Sequence, residues 1–179
     1  MVRVIVINGQ GTSGKDTFID LFTEVSGIPV FRFSSVDEVK AHAIALGWDG
    51  KKDAKGRRFL SDLKDAMTRY NDAPFVYMFN QIKKVCGSYE DAFIFFHIRE
   101  PKEIERMVKS FNATTILIER TVSAQISFTN HADNGVYDYT YDYFVKNNGT
   151  IPELKKSAET IFHDLISGGV RSASVKANL

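Results

Sequence analysis

The feature that most constrains this chain is a glycine-rich segment near its start. Gly9 and the pair Gly14-Lys15 stand at the spacing G-x-x-x-x-G-K. The apolar run Val2–Ile7 precedes this segment, and apolar residues at helical spacing follow it. The motif therefore lies between a predicted buried strand and a predicted helix, which is the setting that it requires. A glycine-rich turn in some other α/β protein is the alternative explanation.

The parts of this segment together suit a triphosphate. Glycines let the backbone curl so that successive N–H groups point inward, and the helix N-terminus adds partial positive charge. Lys15 would reach the β- and γ-phosphates. We therefore predict a phosphate-binding loop (P-loop) that holds a triphosphate. Its candidate nucleotide-binding residues are Gly9, Gly11, Thr12, Ser13, Gly14, Lys15, Asp16 and Thr17.

Asp16 departs from the usual motif, in which a hydroxyl residue follows the lysine. The hydroxyl is displaced by one position, to Thr17. A carboxylate at position 16 could bind Mg²⁺ directly or through water, because magnesium prefers oxygen ligands. It could equally support the helix N-terminus electrostatically without touching a metal. Asp16 and Thr17 are therefore candidate Mg²⁺ ligands, and both roles of Asp16 stay open.

The pattern of strands and helices predicts the fold class. A chain of 179 residues with 44% hydrophobic and 25% charged residues is typical of one soluble globular domain. Helical patterns separate the strand candidates, so the sheet should be parallel and covered on both faces. We predict a three-layer α/β P-loop fold with a central five-stranded parallel sheet. Its strands are expected at Val2–Ile7, Val30–Phe33, Ala92–Ile98, Thr114–Ile118 and Tyr143–Lys146.

Several local signals predict helix boundaries. Capping boxes at residues 35–38 and 150–153 each predict a helix start. Gly87 is expected to end the helix that begins at Pro74. Cys86, near that end, is expected to be a small buried hydrophobe.

One domain is predicted over residues 1–168, with an acceptor-binding insert at about 35–73 and a flexible tail at 169–179. The polar stretch at about 121–141 could be a lid that closes over a nucleotide. A long surface loop, or a further helix around residues 122–128, is the alternative for that stretch.

Charge and composition exclude several functions. The net charge of +1 gives no support to a nucleic-acid partner. One cysteine permits neither an intrachain disulfide nor a zinc cluster. No stretch has the length of a membrane span, and the apolar start is too short for a signal peptide. We therefore expect a cytoplasmic protein without a membrane partner, and a homodimer is a possible assembly.

Arginines follow two of the predicted strands. Ligands bind at the carboxyl ends of parallel strands, and a guanidinium fork suits phosphate oxygens. Arg99 follows the third strand and Arg120 the fourth, so both join Lys15 as candidate catalytic residues. The alternative for Arg99 is a surface ion pair with a neighbouring glutamate.

Residues 35–70 offer candidates for a second, acceptor site. Arg57 and Arg58 begin a predicted helix, where the helix dipole disfavours cations unless an anion is bound. Ser35 follows the second strand and is also a candidate. Trp48 and Tyr70 could stack on a base, although aromatic residues at such spacings are more often part of a core.

His97 stands at the end of the third predicted strand, where many P-loop enzymes carry a metal-linked aspartate. A neutral histidine cannot replace that negative charge. Either Asp16 serves the metal, or the metal is held mainly by phosphates and water.

These residues resemble a known family. Residues 14–17, Gly-Lys-Asp-Thr, resemble the P-loop of phage-type deoxynucleoside monophosphate kinases, within the adenylate-kinase-like nucleoside monophosphate kinases. Further marks follow in the family's order across residues 3–167, and His97 departs from the family's acidic residue. The marks are the pair Arg57-Arg58 before Phe59-Leu60, then Arg99, Arg120 and the segment 142–149.

The resemblance implies transfer of the γ-phosphoryl group of ATP, with Mg²⁺, to a (deoxy)nucleoside 5′-monophosphate. Lys15, Arg99 and Arg120 would stabilise the charge on the transferred group. Asp16 and Thr17 would support Mg²⁺, and Arg57 or Arg58 would anchor the acceptor. Two other functions remain open: another small-metabolite kinase on the same scaffold, or a nucleotide-binding module without transfer activity.

Overall fold

A computed structural model describes residues 1–121 and 135–168 of the chain. Helices separate its first four strands, with three helices in succession between the second and the third, and a short 3₁₀ turn covers Gly135–Tyr137. The strands are β1 (Val2–Asn8), β2 (Val30–Ser34), β3 (Ala92–His97), β4 (Thr114–Glu119) and β5 (Tyr143–Lys146). The helices are α1 (Lys15–Ser26), α2 (Asp37–Ala45), α3 (Ala54–Asn71), α4 (Ala73–Ser88), α5 (Pro101–Phe111) and α6 (Ile151–Ile166).

The five strands form one parallel sheet in the order β2-β3-β1-β4-β5. This confirms the predicted fold class, and each strand boundary lies within one residue of its predicted place. Ile7 on the central strand lies opposite His97 of β3 and Ile116 of β4. The carboxyl ends of these three strands therefore meet at one edge of the sheet.

Each face of the sheet is buried by helices. Along β1, Ile5 and Ile7 face the layer of α1 and α6, whereas Val4 and Val6 face the layer of α4 and α5. Phe22 of α1 is fully buried, and its ring meets three other phenylalanine rings with centroids 4.9 to 5.8 Å away. Burying such a side chain stabilises the fold by about 2 kcal/mol or more. The sheet is thus a rigid support for the loops at its edge.

Helix α3 is docked differently from the helices on the sheet. Among its 18 residues, the buried ones are Gly56 and Lys64. Its closest neighbours are α2 and α4, so the segment from α2 to α3 packs beside the sheet layers rather than on the sheet.

Three local predictions are wrong and one is confirmed. Ser35 does not cap α2: the helix begins after Val36 without a side-chain cap. The backbone N–H of Ser35 instead donates to the His97 carbonyl at 3.2 Å and extends the pairing of β2 with β3. The turn is held by Asp37, whose carboxylate accepts a hydrogen bond from the Ser34 N–H at 2.7 Å. Helix α4 runs past Gly87 to Ser88, and Cys86 is exposed because it lies on the solvent side of that helix. The capping box at residues 150–153 is confirmed.

Two predicted segments lie wholly or largely outside the described residues: the tail at 169–179 and most of the stretch at about 121–141, of which 122–134 is not described. In the part of the chain that is described, no helix is long and apolar enough to cross a membrane.

Candidate active site

The P-loop needs glycine at both of its ends. Gly9 has φ of 147° and Gly14 has φ of 97°, values that side chains with a Cβ rarely adopt. A Cβ on Gly14 would lie 2.2 Å from Nδ2 of Asn147, and one on Gly9 would lie 2.2 Å from the carbonyl oxygen of Ile118. Both close approaches join the loop to the carboxyl ends of β4 and β5.

Two buried amide side chains fix the ends of the loop. Asn8 accepts a hydrogen bond from the Gly9 N–H at 2.7 Å. Asn147 donates from Nδ2 to the Ser13 carbonyl at 2.8 Å. Both side chains are at most 9% exposed, so water does not compete with these bonds. The sequence marked Asn147 as part of a family segment but gave no sign of this contact.

Lys15 reaches across the loop. Its ammonium donates to the carbonyls of Gly9 and Gln10, both at 2.7 Å, and lies 3.4 Å from Oγ of Ser13. The charge is thus held at the mouth of the loop, where phosphate oxygens can replace these carbonyl acceptors.

A cavity of about 650 Å³ opens beside the loop, within the size range of small-molecule sites. The P-loop, the end of β2, helix α3 and the end of β3 form its walls. Positive charge dominates, since seven lining residues are basic and three acidic: Lys15, Arg32, Lys40, Lys52, Arg57, Lys64 and Arg99 against Asp16, Asp37 and Glu100. Such a cavity suits a ligand, or two ligands, with several negative charges.

A triad of charged side chains, of which Lys64 is buried, joins α3 to the start of α5 beside the cavity. The ammonium of Lys64 lies 2.8 Å from Oε1 of Glu100 and 2.9 Å from Oε2 of Glu103. Burial and the neighbouring Glu100 carboxylate raise the pKa of Glu103 to about 7, although Lys64 opposes that shift. The triad joins α3 to Glu100, the residue that follows Arg99, and Arg57 and Arg99 both line the cavity.

Asp16 lies between two side chains at the end of the sheet. Nη1 of Arg32 is 3.2 Å from Oδ1 of Asp16, and Nε2 of His97 is 3.5 Å from the same oxygen. Burial lowers the pKa of His97 to about 4, and the charges of Lys15 and Arg32 act in the same direction. His97 is therefore neutral at pH 7.

The donor chemistry fits Mg²⁺ only in part. Among residues 1–121 and 135–168, no group of three or more His, Cys, Asp or Glu side chains could hold a metal ion. Asp16 nevertheless offers a carboxylate beside the loop and already attracts a guanidinium cation. A magnesium ion would be held by Asp16 together with phosphate oxygens and water.

The structure brings together about half of the predicted site. Asp16, Ser35, Arg57 and Arg99 line the cavity together with the loop residues Gly11, Thr12 and Lys15. The remaining nucleotide-binding candidates, Gly9, Ser13, Gly14 and Thr17, belong to the loop or to the first turn of α1.

Four further predicted residues lie outside both the loop and the cavity lining, as far as the described residues define them. Arg58 points to solvent and lies 3.7 Å from Asp62, and Arg120 is exposed just beyond β4. The indole N–H of Trp48 donates to the Lys51 carbonyl at 3.1 Å. Tyr70 is 89% exposed, at a separate hollow between α2 and α3.

The sequence did not single out several residues of the cavity. Arg32, Lys40, Lys52 and Lys64 were not among its candidates, although each lies between predicted site residues along the chain. Among these four residues, Arg32 is the one that its sequence context could have marked, because it is a charged residue within the apolar run of β2.

No protein-family model and no curated protein sequence matches this chain. Solved structures do match. Shikimate kinase from Aquifex aeolicus vf5 is 17% identical and has a TM-score of 0.50, with 93% of this chain and 99% of that chain covered. TT1252 from Thermus thermophilus is 15% identical and has a TM-score of 0.55, with 91% and 97% covered. At these identities the likeness shows the fold: the chain has the same α/β fold as that shikimate kinase, with a five-stranded parallel sheet between helices.

Proposed function

We propose that this protein is a phosphotransferase that moves the γ-phosphoryl group of ATP to a (deoxy)nucleoside 5′-monophosphate and releases the diphosphate. The observation that carries the proposal is the second group of cations in the cavity. Lys40, Lys52 and Arg57 stand on the α2–α3 side, apart from the P-loop lysine, Lys15. Two anionic groups can therefore be held facing each other, as transfer between two phosphates requires.

The end of β3 supports an acceptor that is already ionised. A hydroxyl acceptor needs a base to take its proton, whereas a phosphate oxygen does not. His97, at that strand end, has its pKa lowered to about 4 by burial and is a weak base. Asp16, its neighbour, is paired with Arg32. A nucleoside monophosphate fits this environment better than an uncharged hydroxyl.

The proposed roles follow from charge. Lys15 and Arg99, which line the cavity, stabilise the negative charge of the transferred group, and Arg57 anchors the acceptor phosphate. Asp16 and Thr17 are the proposed contacts of Mg²⁺, which when bound neutralises phosphate charge. Catalysis is then positioning and electrostatic stabilisation, without a covalent intermediate on the protein.

A second candidate is a kinase for a small metabolite that is not a nucleotide. The likeness in fold to shikimate kinase is the observation that favours it. The two candidates differ in the acceptor and not in the P-loop.

A coupled assay with ATP and Mg²⁺ tests both candidates. The acceptor panel contains ribo- and deoxyribonucleoside monophosphates, shikimate, gluconate and a sugar phosphate. Turnover with at least one monophosphate, lost in Lys15→Ala, is the expected result. Turnover with a hydroxyl acceptor alone would establish the second candidate. Tight ATP binding without any turnover would identify a binding module instead.

A further inference from the structure

Arg32 makes a contact that the proposed function does not require. It lies on the edge strand β2, and its side chain, which is 35% exposed, reaches helix α1. Nη1 lies 3.2 Å from Oδ1 of Asp16, and Nη2 bonds to Oδ1 of Asp20, one helical turn further along. The planar fork of one arginine thus bridges two carboxylates, a geometry that a lysine cannot reproduce.

The position of Asp16 explains why a cation is needed there. Its carboxylate is beside the loop that would receive a triphosphate, so an unbalanced charge at this point would repel the ligand. Arg32 supplies a permanent positive charge 3.2 Å from Asp16, and it also lines the same cavity.

We propose that Arg32 is the resident counter-cation of Asp16, which a divalent cation must displace, and that this exchange sets how strongly nucleotide binding depends on metal. Asp20 keeps the displaced guanidinium in place, since it holds the other nitrogen of the fork. The inference rests on the proposed function to the extent that the P-loop binds a nucleotide.

The exchange predicts opposite effects for the two partners of the fork. Without Arg32, metal-free nucleotide meets an unbalanced Asp16 and binds more weakly, while a metal reaches Asp16 without a competitor. Without the Asp20 carboxylate, the Arg32 guanidinium pairs with Asp16 alone and holds it more strongly, so a metal ion displaces Arg32 from Asp16 less easily. A general loss of cavity charge would not produce this reversal.

The experiment measures the Kd of a non-hydrolysable ATP analogue by calorimetry, once with EDTA and once with excess Mg²⁺. The quantity compared is the ratio of the metal-free Kd to the Kd with Mg²⁺. We expect Arg32→Gln to raise this ratio by about fivefold, the effect of one charge interaction of about 1 kcal/mol near the surface. We expect Asp20→Asn to lower it, and Arg32→Lys to give a value between those of Arg32→Gln and the unaltered protein.

A double variant separates the Asp16 contact from other effects. Asp16→Asn should lower the ratio below that of the unaltered protein, and Arg32→Gln added to it should change the ratio no further. Thermal melting of each variant checks folding. Equal shifts of both Kd values in Arg32→Gln, or the same shift with and without Asp16, would overturn the inference and leave the proposed function standing. Absence of nucleotide binding in the unaltered protein would overturn the proposed function and this inference together.

Discussion

At the scale of single residues, two arginines and two glycines of the predicted site differ in their surroundings. Arg57 and Arg58 are adjacent in sequence, yet Arg57 lines the cavity and Arg58 points to solvent. Likewise Gly14 is enclosed by Asn147, whereas a Cβ on Gly11 would meet nothing within 4 Å. Each pair supplies a test residue and its own matched control.

The arginine pair predicts a selective loss of acceptor affinity. Arg57→Ala should raise the acceptor KM about tenfold to a hundredfold, because a charge-assisted contact to phosphate contributes roughly 1.5–3 kcal/mol. The KM for ATP should change little. Steady-state kinetics with each substrate varied in turn measures both constants. Arg58→Ala should resemble the unaltered protein, and equal effects of the two variants would mean that the acceptor site is elsewhere.

The glycine pair predicts a difference in stability. Gly14→Ala should lower the free energy of unfolding by about 1–3 kcal/mol, because φ at position 14 is 97° and the new Cβ would collide with Asn147. Urea denaturation measures the change. Gly11→Ala should stay within about 0.5 kcal/mol of the unaltered protein. If both variants unfold at the same urea concentration, the loop does not have this geometry.

At the scale of elements, helix α3 differs from the helices that pack on the sheet, because ion pairs attach it to α5. Lys64 pairs with Glu100 and Glu103, and Asp72, just after α3, bonds to Arg106 with one contact at 2.9 Å. Glu100, Glu103 and Arg106 recur three positions apart, so their side chains lie on one face of α5. The attachment of α3, which carries Arg57, therefore depends on the protonation of these side chains, whereas the apolar layers on the sheet do not.

This attachment predicts a pH dependence of stability. The folded-state pKa of Glu103 is raised to about 7, so the folded protein binds a proton that the unfolded chain has released. The resulting stability is present below the unfolded pKa and is lost as pH rises through about 7. Relative to Glu103→Gln, the unaltered protein should lose on the order of 2 kcal/mol between pH 5 and pH 8.5.

Urea denaturation at several pH values measures this difference. Glu105→Gln is the matched control, since Glu105 lies on the same helix and pairs with the exposed Lys109. Its difference from the unaltered protein should be nearly constant over the same range. A constant difference for Glu103→Gln as well would contradict a raised pKa at that residue.

Local patterns predicted the elements better than they predicted the cavity. Apolar runs and helical spacing placed all five strands and the loop, because those signals lie within a few neighbouring residues. Lys64 gave no such signal, since its burial depends on Glu100 and Glu103, which lie far along the chain. Trp48 and Tyr70 were candidates by residue type alone, and their position depends on how α2 and α3 pack.

At the scale of the whole molecule, the P-loop is tied to distant parts of one sheet domain. Ligand binding to such a loop should stabilise the entire fold. At a nucleotide concentration about 100 times Kd, the gain is about 2.7 kcal/mol, which corresponds to a rise in Tm of roughly 5–10 °C for a domain of this size. Differential scanning calorimetry with the ATP analogue and Mg²⁺ measures this shift. Lys15→Ala should show little or none of it, and a shift of the same size in that variant would mean that the nucleotide binds elsewhere.

The hydrogen bond from Asn147 to the Ser13 carbonyl also has a consequence for biosynthesis. The loop is among the first segments to leave a ribosome, but the side chain that closes it is near the end of the last strand. A nascent chain therefore cannot form this hydrogen bond until residue 147 has emerged. If the loop binds nucleotide as proposed, we expect a chain that ends before residue 147 to bind it more weakly than the full chain does.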